Sequence, residues 1–268
     1  MRVVRLVLSV SISFLLSITL AAQQTTTSSP QALLLQRSAA ALSGGQTLTD
    51  VTLSGIARRI AGSDDESGTA VLKALVTGES SVDFSFPSGP RSEVRANSTT
   101  GPVGSWLAPD GTSHAISQHN LWTDSSWFFP PSTLTRLLSD SSYWIIAYVA
   151  HETKENQAVE HLTAVRQFQA TGAPASWTPD TLQHLSAMDV YLDSFTLLPS
   201  AIRFNTHPDR NQTVDIPVEI RFADYREVSG VNIPFHIQKY FNNGLALDIH
   251  VTTATLNTGL TVAAFSVR

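Results

Sequence analysis

Residues 188–260 constrain the fold most. They read MDVYLDSFTLLPSAIRF and, after a break, DIPVEIRFADYREVSGVNIPFHIQKYFNNGLALDIHVTTATLNTGL. Val218, Ile220 and Phe222 share one face while Glu219 and Arg221 share the other. Phe235 and Ile237 alternate with His236 and Gln238, and Leu247, Ile249 and Val251 with Asp248, His250 and Thr252. A period of two with tight turns at Ser229-Gly230 and Asn242-Asn243-Gly244 specifies antiparallel hairpins. One apolar and one polar side mean a sheet covered on one face only.

The same period runs through the first half. Val51, Leu53 and Ala57 lie opposite Thr52, Ser54 and Arg58. Strands follow at Thr69–Thr77, Ser80–Pro87 and Arg91–Asn97, and Arg91, Glu93 and Arg95 share a face. Asp64-Asp65-Glu66 falls in SDDESG and reads as a solvated acidic turn, without the spacing of a calcium loop. Pro109-Asp110-Gly111 turns the chain between Trp106-Leu107 and a strand at Ser113–Ser117. Ahead of the meander, Ser29 and Pro30 form a helix start over Ala32–Leu42, stopped by Gly44-Gly45.

Residues 119–150 break the pattern, crowding Trp122, Trp127, Phe128, Phe129, Tyr143 and Trp144 around Pro130-Pro131. Ser132–Asp140 reads as a short helix capped by Ser132 or Thr133. Tyr143–His151 and Ala158–Phe168 read as a hairpin, and Thr178-Pro179 opens a helix through Ala187. No repeat of 20–50 residues is visible, which disfavours a solenoid or propeller.

The ends define the compartment. Arg2 and Arg5 precede the apolar run Leu6–Leu20 and the small pair Ala21-Ala22, the layout of an export signal over 1–22. Polar residues 23–30 read as a disordered linker and 31–268 as one domain. The expected location is periplasmic or secreted, with no membrane span after signal cleavage. The chain has no cysteine, so neither a disulfide nor a lipobox acylation site is available and the core must supply the stability. Formal charge is −5, and no basic run exists, so nucleic acid is not an expected partner.

Three phrases carry a family likeness. Asp189–Leu198 with Pro199 gives a strand bearing an acidic residue before a Leu-Pro turn; Asp224–Pro234 reads DYREVSGVNIP; Thr255–Leu260 reads TLNTGL ahead of Phe265. Together with the order of elements, they resemble the LolA/LolB-like superfamily of outer-membrane lipoprotein-sorting carriers and its exported bacterial relatives. The resemblance implies a mainly β fold: a strongly curved antiparallel sheet, an incomplete barrel, covered by a few helices. In the carriers, the space between sheet and helices holds acyl chains. The large aromatic insert at 119–144 departs from that pattern.

The expected function is therefore non-catalytic binding of a lipid or other apolar ligand in a half-barrel cavity. The candidate ligand-binding residues are Trp106, Trp122, Trp127, Phe128, Phe129, Trp144, Phe222 and Phe235. For Trp106, Trp122, Trp127, Phe128, Phe129 and Trp144 the first reading is core that plugs the barrel mouth, and the lining of a pocket is the second. The alternatives are an envelope structural or interaction module with a protein partner, or a hydrolase with a cryptic His/carboxylate site. No catalytic residue, metal ligand or cofactor is assigned: there is no G-x-S-x-G elbow, glycine-rich phosphate loop or H-E-x-x-H run. The eight histidines are dispersed, with His151 and His161, and His236 and His250, placed to meet across hairpins. Asp189 and Asp193 share a strand face, but the sequence places nothing beside them to activate either carboxylate.

Overall fold

The structure is a computed structural model and describes residues 29–139, 143–167 and 172–267. The export segment 1–22, most of the linker, and the strand and helix ends expected at Phe168 and Asp140 lie outside the described residues. Among the described residues, no helix is long and apolar enough to cross a membrane.

A single antiparallel sheet organises the molecule. The first six strands are β1 (Asp50–Ala61), β2 (Asp64–Leu75), β3 (Ser80–Phe86), β4 (Gly89–Ser98), β5 (Gly101–Leu107) and β6 (Ser113–Ala115). The other seven are β7 (Trp144–Lys154), β8 (Gln157–Arg166), β9 (Met188–Asp193), β10 (Pro199–Thr206), β11 (Ile216–Val228), β12 (Val231–Phe241) and β13 (Gly244–Leu256). They form a 13-stranded sheet, ordered β6-β5-β4-β3-β2-β1-β13-β12-β11-β10-β9-β8-β7. Two meanders are thus joined where β1 pairs with β13. The sheet does not close: β6 and β7 are its two edges. The described residues 116–139 lie in the segment that joins one edge strand to the other, so the aromatic insert belongs to the connection between the two edges.

Among the described residues, three α-helices cover the sheet: α1 (Pro30–Ser43), α2 (Pro130–Ser139) and α3 (Pro179–Ser186). Ser29 caps α1 through Ala32 N–H, and Gly44 ends it at φ 56°, a left-handed turn that glycine adopts without steric cost. The expected cap of α2 is corrected. The helix starts at Pro130, and Ser132 and Thr133 lie inside its first turn. Their hydroxyls are used elsewhere: Ser132 Oγ donates to Leu75 O at 3.2 Å, and Thr133 Oγ1 donates to the Asp124 carboxylate.

The expected inward faces of the closing strands hold. Val218, Ile220, Phe222, Phe235, Ile237, Leu247, Ile249 and Val251 are all buried in one core. That core also takes Val51, Leu53 and Ala57 from the sheet, Leu35 and Leu42 from α1, and Leu134 and Leu137 from α2. Gly55 sits at a register shift where β1 meets β13, and a Cβ there would lie 2.2 Å from His250 O. A close backbone approach at a bulge admits no side chain.

The acidic turn is a correction: Asp64, Asp65 and Glu66 begin β2, and the chain reverses at Gly62-Ser63. Cross-strand arginines explain it. Arg58 Nη2 lies 2.5 Å from Asp65 Oδ2, and Arg59 Nη1 lies 3.1 Å from Glu66 Oε1. Opposite charges on neighbouring strands stabilise the pairing that a composition-based turn would break.

The motif phrases prove to be ties between distant segments. Tyr225 Oη donates to Pro199 O at 2.8 Å, so DYR grips the Leu-Pro turn. Asn257 Oδ1 accepts from Thr49 N–H at 2.8 Å, and its Nδ2 donates to Thr47 O at 2.9 Å. Buried Asp50 accepts from Thr258 N–H at 2.8 Å, Thr258 Oγ1 at 2.8 Å, Gly259 N–H at 3.0 Å and Thr49 Oγ1 at 2.9 Å. Burial alone would raise its pKa, but the hydrogen bonds from Thr258, Thr49 and Gly259 outweigh it and hold the carboxyl below its usual 3.8. Asp50→Ala is expected to lower the unfolding free energy by about 2–4 kcal/mol, read by urea titration near neutral pH. A depressed carboxylate stabilises above its unfolded-state pKa and loses that contribution as pH falls through the folded value. The difference between wild type and Asp50→Ala should therefore shrink as pH falls below 3.8.

Candidate functional site

A cavity of about 510 Å³ opens on the concave face of the sheet, within the size range of small-molecule sites. Its apolar walls come from both meanders: Val82, Phe84 and Phe86 on β3, Trp106 and Leu107 on β5, Phe241 on β12 and Leu247 on β13. Trp127, from the connecting segment, also lines it. The Phe84 and Phe86 rings stack at 5.4 Å.

Charge enters this cavity by strand register. Glu93 pairs with Val82 and Arg91 with Phe84, so the charged face of β4 lies on the same side as the buried face of β3. Lys239 follows Val231, Ile233, Phe235 and Ile237 at a spacing of two, an inward position in an otherwise apolar run. Its ammonium lies 4.3 Å from the Trp127 ring centroid and 5.3 Å from that of Phe241, a cation–π arrangement. Burial pushes the Lys239 pKa down to about 8, although Glu93 opposes the shift. Glu93 is itself held below its usual range: burial would raise it, but Arg95 and Lys239 prevail, with Arg95 Nε at 2.6 Å.

Donors remain here without a partner, although Arg91 Nη2 donates to Ser88 Oγ at 3.2 Å. Among the described residues, no carboxylate oxygen lies within 4 Å of a Lys239 or Arg91 nitrogen. Arg91 Nε and Trp127 Nε1 are buried without a hydrogen-bond partner. Buried donors are normally satisfied, so their coincidence with a cavity marks where a polar group could sit.

Three solved structures share this architecture. A domain from Vibrio parahaemolyticus assigned by name to outer membrane lipoprotein sorting superposes over 88% of this chain and 95% of its own, with TM-score 0.55 and 13% identity. A DUF1329 family protein from Desulfovibrio piger matches over 88% and 95%, with TM-score 0.56 and 13% identity. A LolA superfamily protein from Nitrosomonas europaea matches over 88% and 97%, with TM-score 0.54 and 9% identity. The fold is LolA/LolB-like. The sequence matches no family model and no curated protein.

Within this LolA/LolB-like frame, Trp106 and Trp127 line the cavity, and Trp106 is 40% exposed beside His114, whose ring stacks on it at 4.3 Å. Trp122, Phe128, Phe129, Trp144, Phe222 and Phe235 are buried and do not line it. Trp122 and Trp144 hold the Arg166 guanidinium between them at 5.5 and 4.7 Å. Phe235 lies 4.5 Å from that of Arg226. Sequence reasoning missed Arg91, Glu93 and Lys239. The available signal was Lys239 itself, a cation in phase with five apolar positions of β12.

Two pairs of strand histidines stand beside carboxylates. His151 and His161 do not face each other as expected: a register shift pairs His151 with Glu160 and His161 with Ala150. His151 Nδ1 lies 2.9 Å from Glu160 Oε1 and 3.2 Å from Ser194 Oγ. Both contacts fall on the same nitrogen, so the ring cannot relay a proton from serine to carboxylate as a hydrolytic triad requires. His236 and His250 are cross-strand neighbours, as expected, with rings stacked at 4.4 Å beside Asp248.

Proposed function

We propose that this chain is an exported, non-catalytic binding protein, periplasmic or secreted, that holds an amphiphilic lipid in the half-barrel cavity. The observation that carries this reading is the cavity itself: apolar walls for a hydrocarbon chain, with Lys239, Arg91 and the Trp127 N–H available to an anionic or strongly polar end. A ligand that satisfies these donors adds their hydrogen bonds to the burial of its apolar chain. The LolA/LolB-like fold supports the reading, because a curved sheet under a separate helical cover leaves room between the layers.

Native mass spectrometry of the protein purified from its own host tests it. The expected result is a co-purifying lipid, and quenching of tryptophan fluorescence when delipidated protein is titrated with a long-chain fatty acid. Absence of lipid from the native protein, together with no saturable change for fatty acid or its methyl ester, would remove the reading.

A second reading, an envelope interaction module, draws on one feature. Strand β7 is an unpaired edge carrying exposed Ile145, Tyr148 and Val149. Such an edge is a template for strand addition by a partner. A stable complex lost on Val149→Lys, with lipid binding intact, would favour it.

A further inference from the structure

Away from the cavity, three side chains from separate parts of the chain meet at one point. His184 stands in the last turn of α3, His207 directly follows β10, and Asp215 directly precedes β11. His207 Nε2 lies 3.0 Å and His184 Nε2 3.1 Å from the same oxygen, Asp215 Oδ1. One ligand atom from each residue falls within 4.8 Å of the others. Tetrahedral ligands held at zinc bond lengths lie about 3.3 Å from one another, so the present spacing needs only small side-chain adjustments to receive an ion.

The cluster is built rather than incidental. The His207 side chain is fully buried, and its backbone is clamped on both sides by Asn120. Asn120 Nδ2 donates to His207 O at 2.8 Å, and Asn120 Oδ1 accepts from His207 N–H at 2.9 Å. Thr206 Oγ1 adds a bond to the same Oδ1 at 3.1 Å. Helix α3 is fixed by its Thr178 cap and by buried Leu182 and Leu185, which orient His184. The side chains of His184 and Asp215 are 43% and 42% exposed, leaving one direction open to solvent.

We propose that His184, His207 and Asp215 bind a divalent transition metal, with a solvent-facing fourth position. Two imidazoles and one carboxylate suit Zn²⁺ and its neighbours in the series, whereas Mg²⁺ and Ca²⁺ call for oxygen donors. A bound ion would fasten the last turn of α3 to both ends of the β10–β11 connection, adding to the packing of buried Leu182 and Leu185 and the His207–Asp215 hydrogen bond. His236, Asp248 and His250 form the weaker competitor: all three lie on adjacent strands of the outer face, none is fully buried, and His250 Nε2 is 3.7 Å from Asp248 Oδ2.

The test uses the full chain, stripped with a chelator and titrated calorimetrically with Zn²⁺, with Co²⁺ absorption reporting coordination. The expected result is one saturable equivalent, a cobalt spectrum of four-coordinate type and a thermal midpoint raised by Zn²⁺. His184→Gln and Asp215→Asn should each weaken binding by more than about tenfold and abolish the thermal shift. His236→Gln should leave both unchanged. These two ligands are chosen because each is half-exposed, so their loss does not open the core. No saturable binding in wild type, binding indifferent to His184→Gln and Asp215→Asn, or binding lost in His236→Gln would each overturn the proposal.

Discussion

Asp124→Ala should be the most destabilising single change outside the apolar core, lowering the unfolding free energy by about 3–5 kcal/mol. Asp124 is buried in the connecting segment and its carboxylate accepts from the Arg136 guanidinium and from Thr133 Oγ1. It also accepts from Ser126 N–H at 3.2 Å. Ser126 Oγ then donates to Ser132 Oγ at 2.8 Å, and Ser132 reaches the Leu75 carbonyl at the end of β2. This chain of bonds fixes α2 and the Trp127–Phe129 stretch over the sheet. Removing the carboxylate leaves Arg136, whose side chain is only 14% exposed, as a charge without its partner. That penalty, rather than the net worth of the pair, sets the size of the effect. The paired variant Asp124→Ala/Arg136→Met should recover much of the loss, because it removes the stranded charge. Urea unfolding of the two variants measures this directly. A loss below about 1 kcal/mol in the single variant would mean that water reaches Arg136 freely.

Asp124 also shows where sequence legibility ends. The closing strands were legible because alternation records burial directly: inward Val218, Ile220, Ile237 and Ile249 are all buried. The motif phrases were legible as punctuation, and the structure gives them partners, Tyr225 with Pro199 and Asp50 with Thr258. What a strand cannot record by itself is which of its faces looks inward. On β4 the charged face Arg91, Glu93 and Arg95 is the concave one, settled only by pairing with β3 and β5. The acidic start of β2 failed for a related reason, since the arginines that hold it in a strand lie on β1. Clusters such as His184, His207 and Asp215 join positions far apart in the chain, and no local spacing announces them.

Lys239→Met should separate stability from binding in opposite directions. A lysine whose folded pKa is depressed to about 8 pays for its charge below that pH. The unfolded chain then binds more protons than the native one between about 8 and the ordinary 10.5 of lysine, so wild-type stability rises with pH across that window. Methionine has similar reach without the charge, and the variant should be more stable near neutral pH by about 1–3 kcal/mol. Glu93 keeps Arg95 as a partner, so the change strands no carboxylate. Ligand binding should respond the other way. If Lys239 receives an anionic head, Lys239→Met should weaken a long-chain fatty acid by about tenfold to a hundredfold while leaving its methyl ester nearly unchanged. Wild-type affinity for the acid should also fall as pH rises through about 8 and Lys239 loses its proton. Equal loss for acid and ester would assign Lys239 a packing role. A variant that is less stable would show that the ammonium is better solvated than its surroundings imply. A destabilising cation kept inside an apolar face is the pattern expected where binding, not folding, maintains the residue.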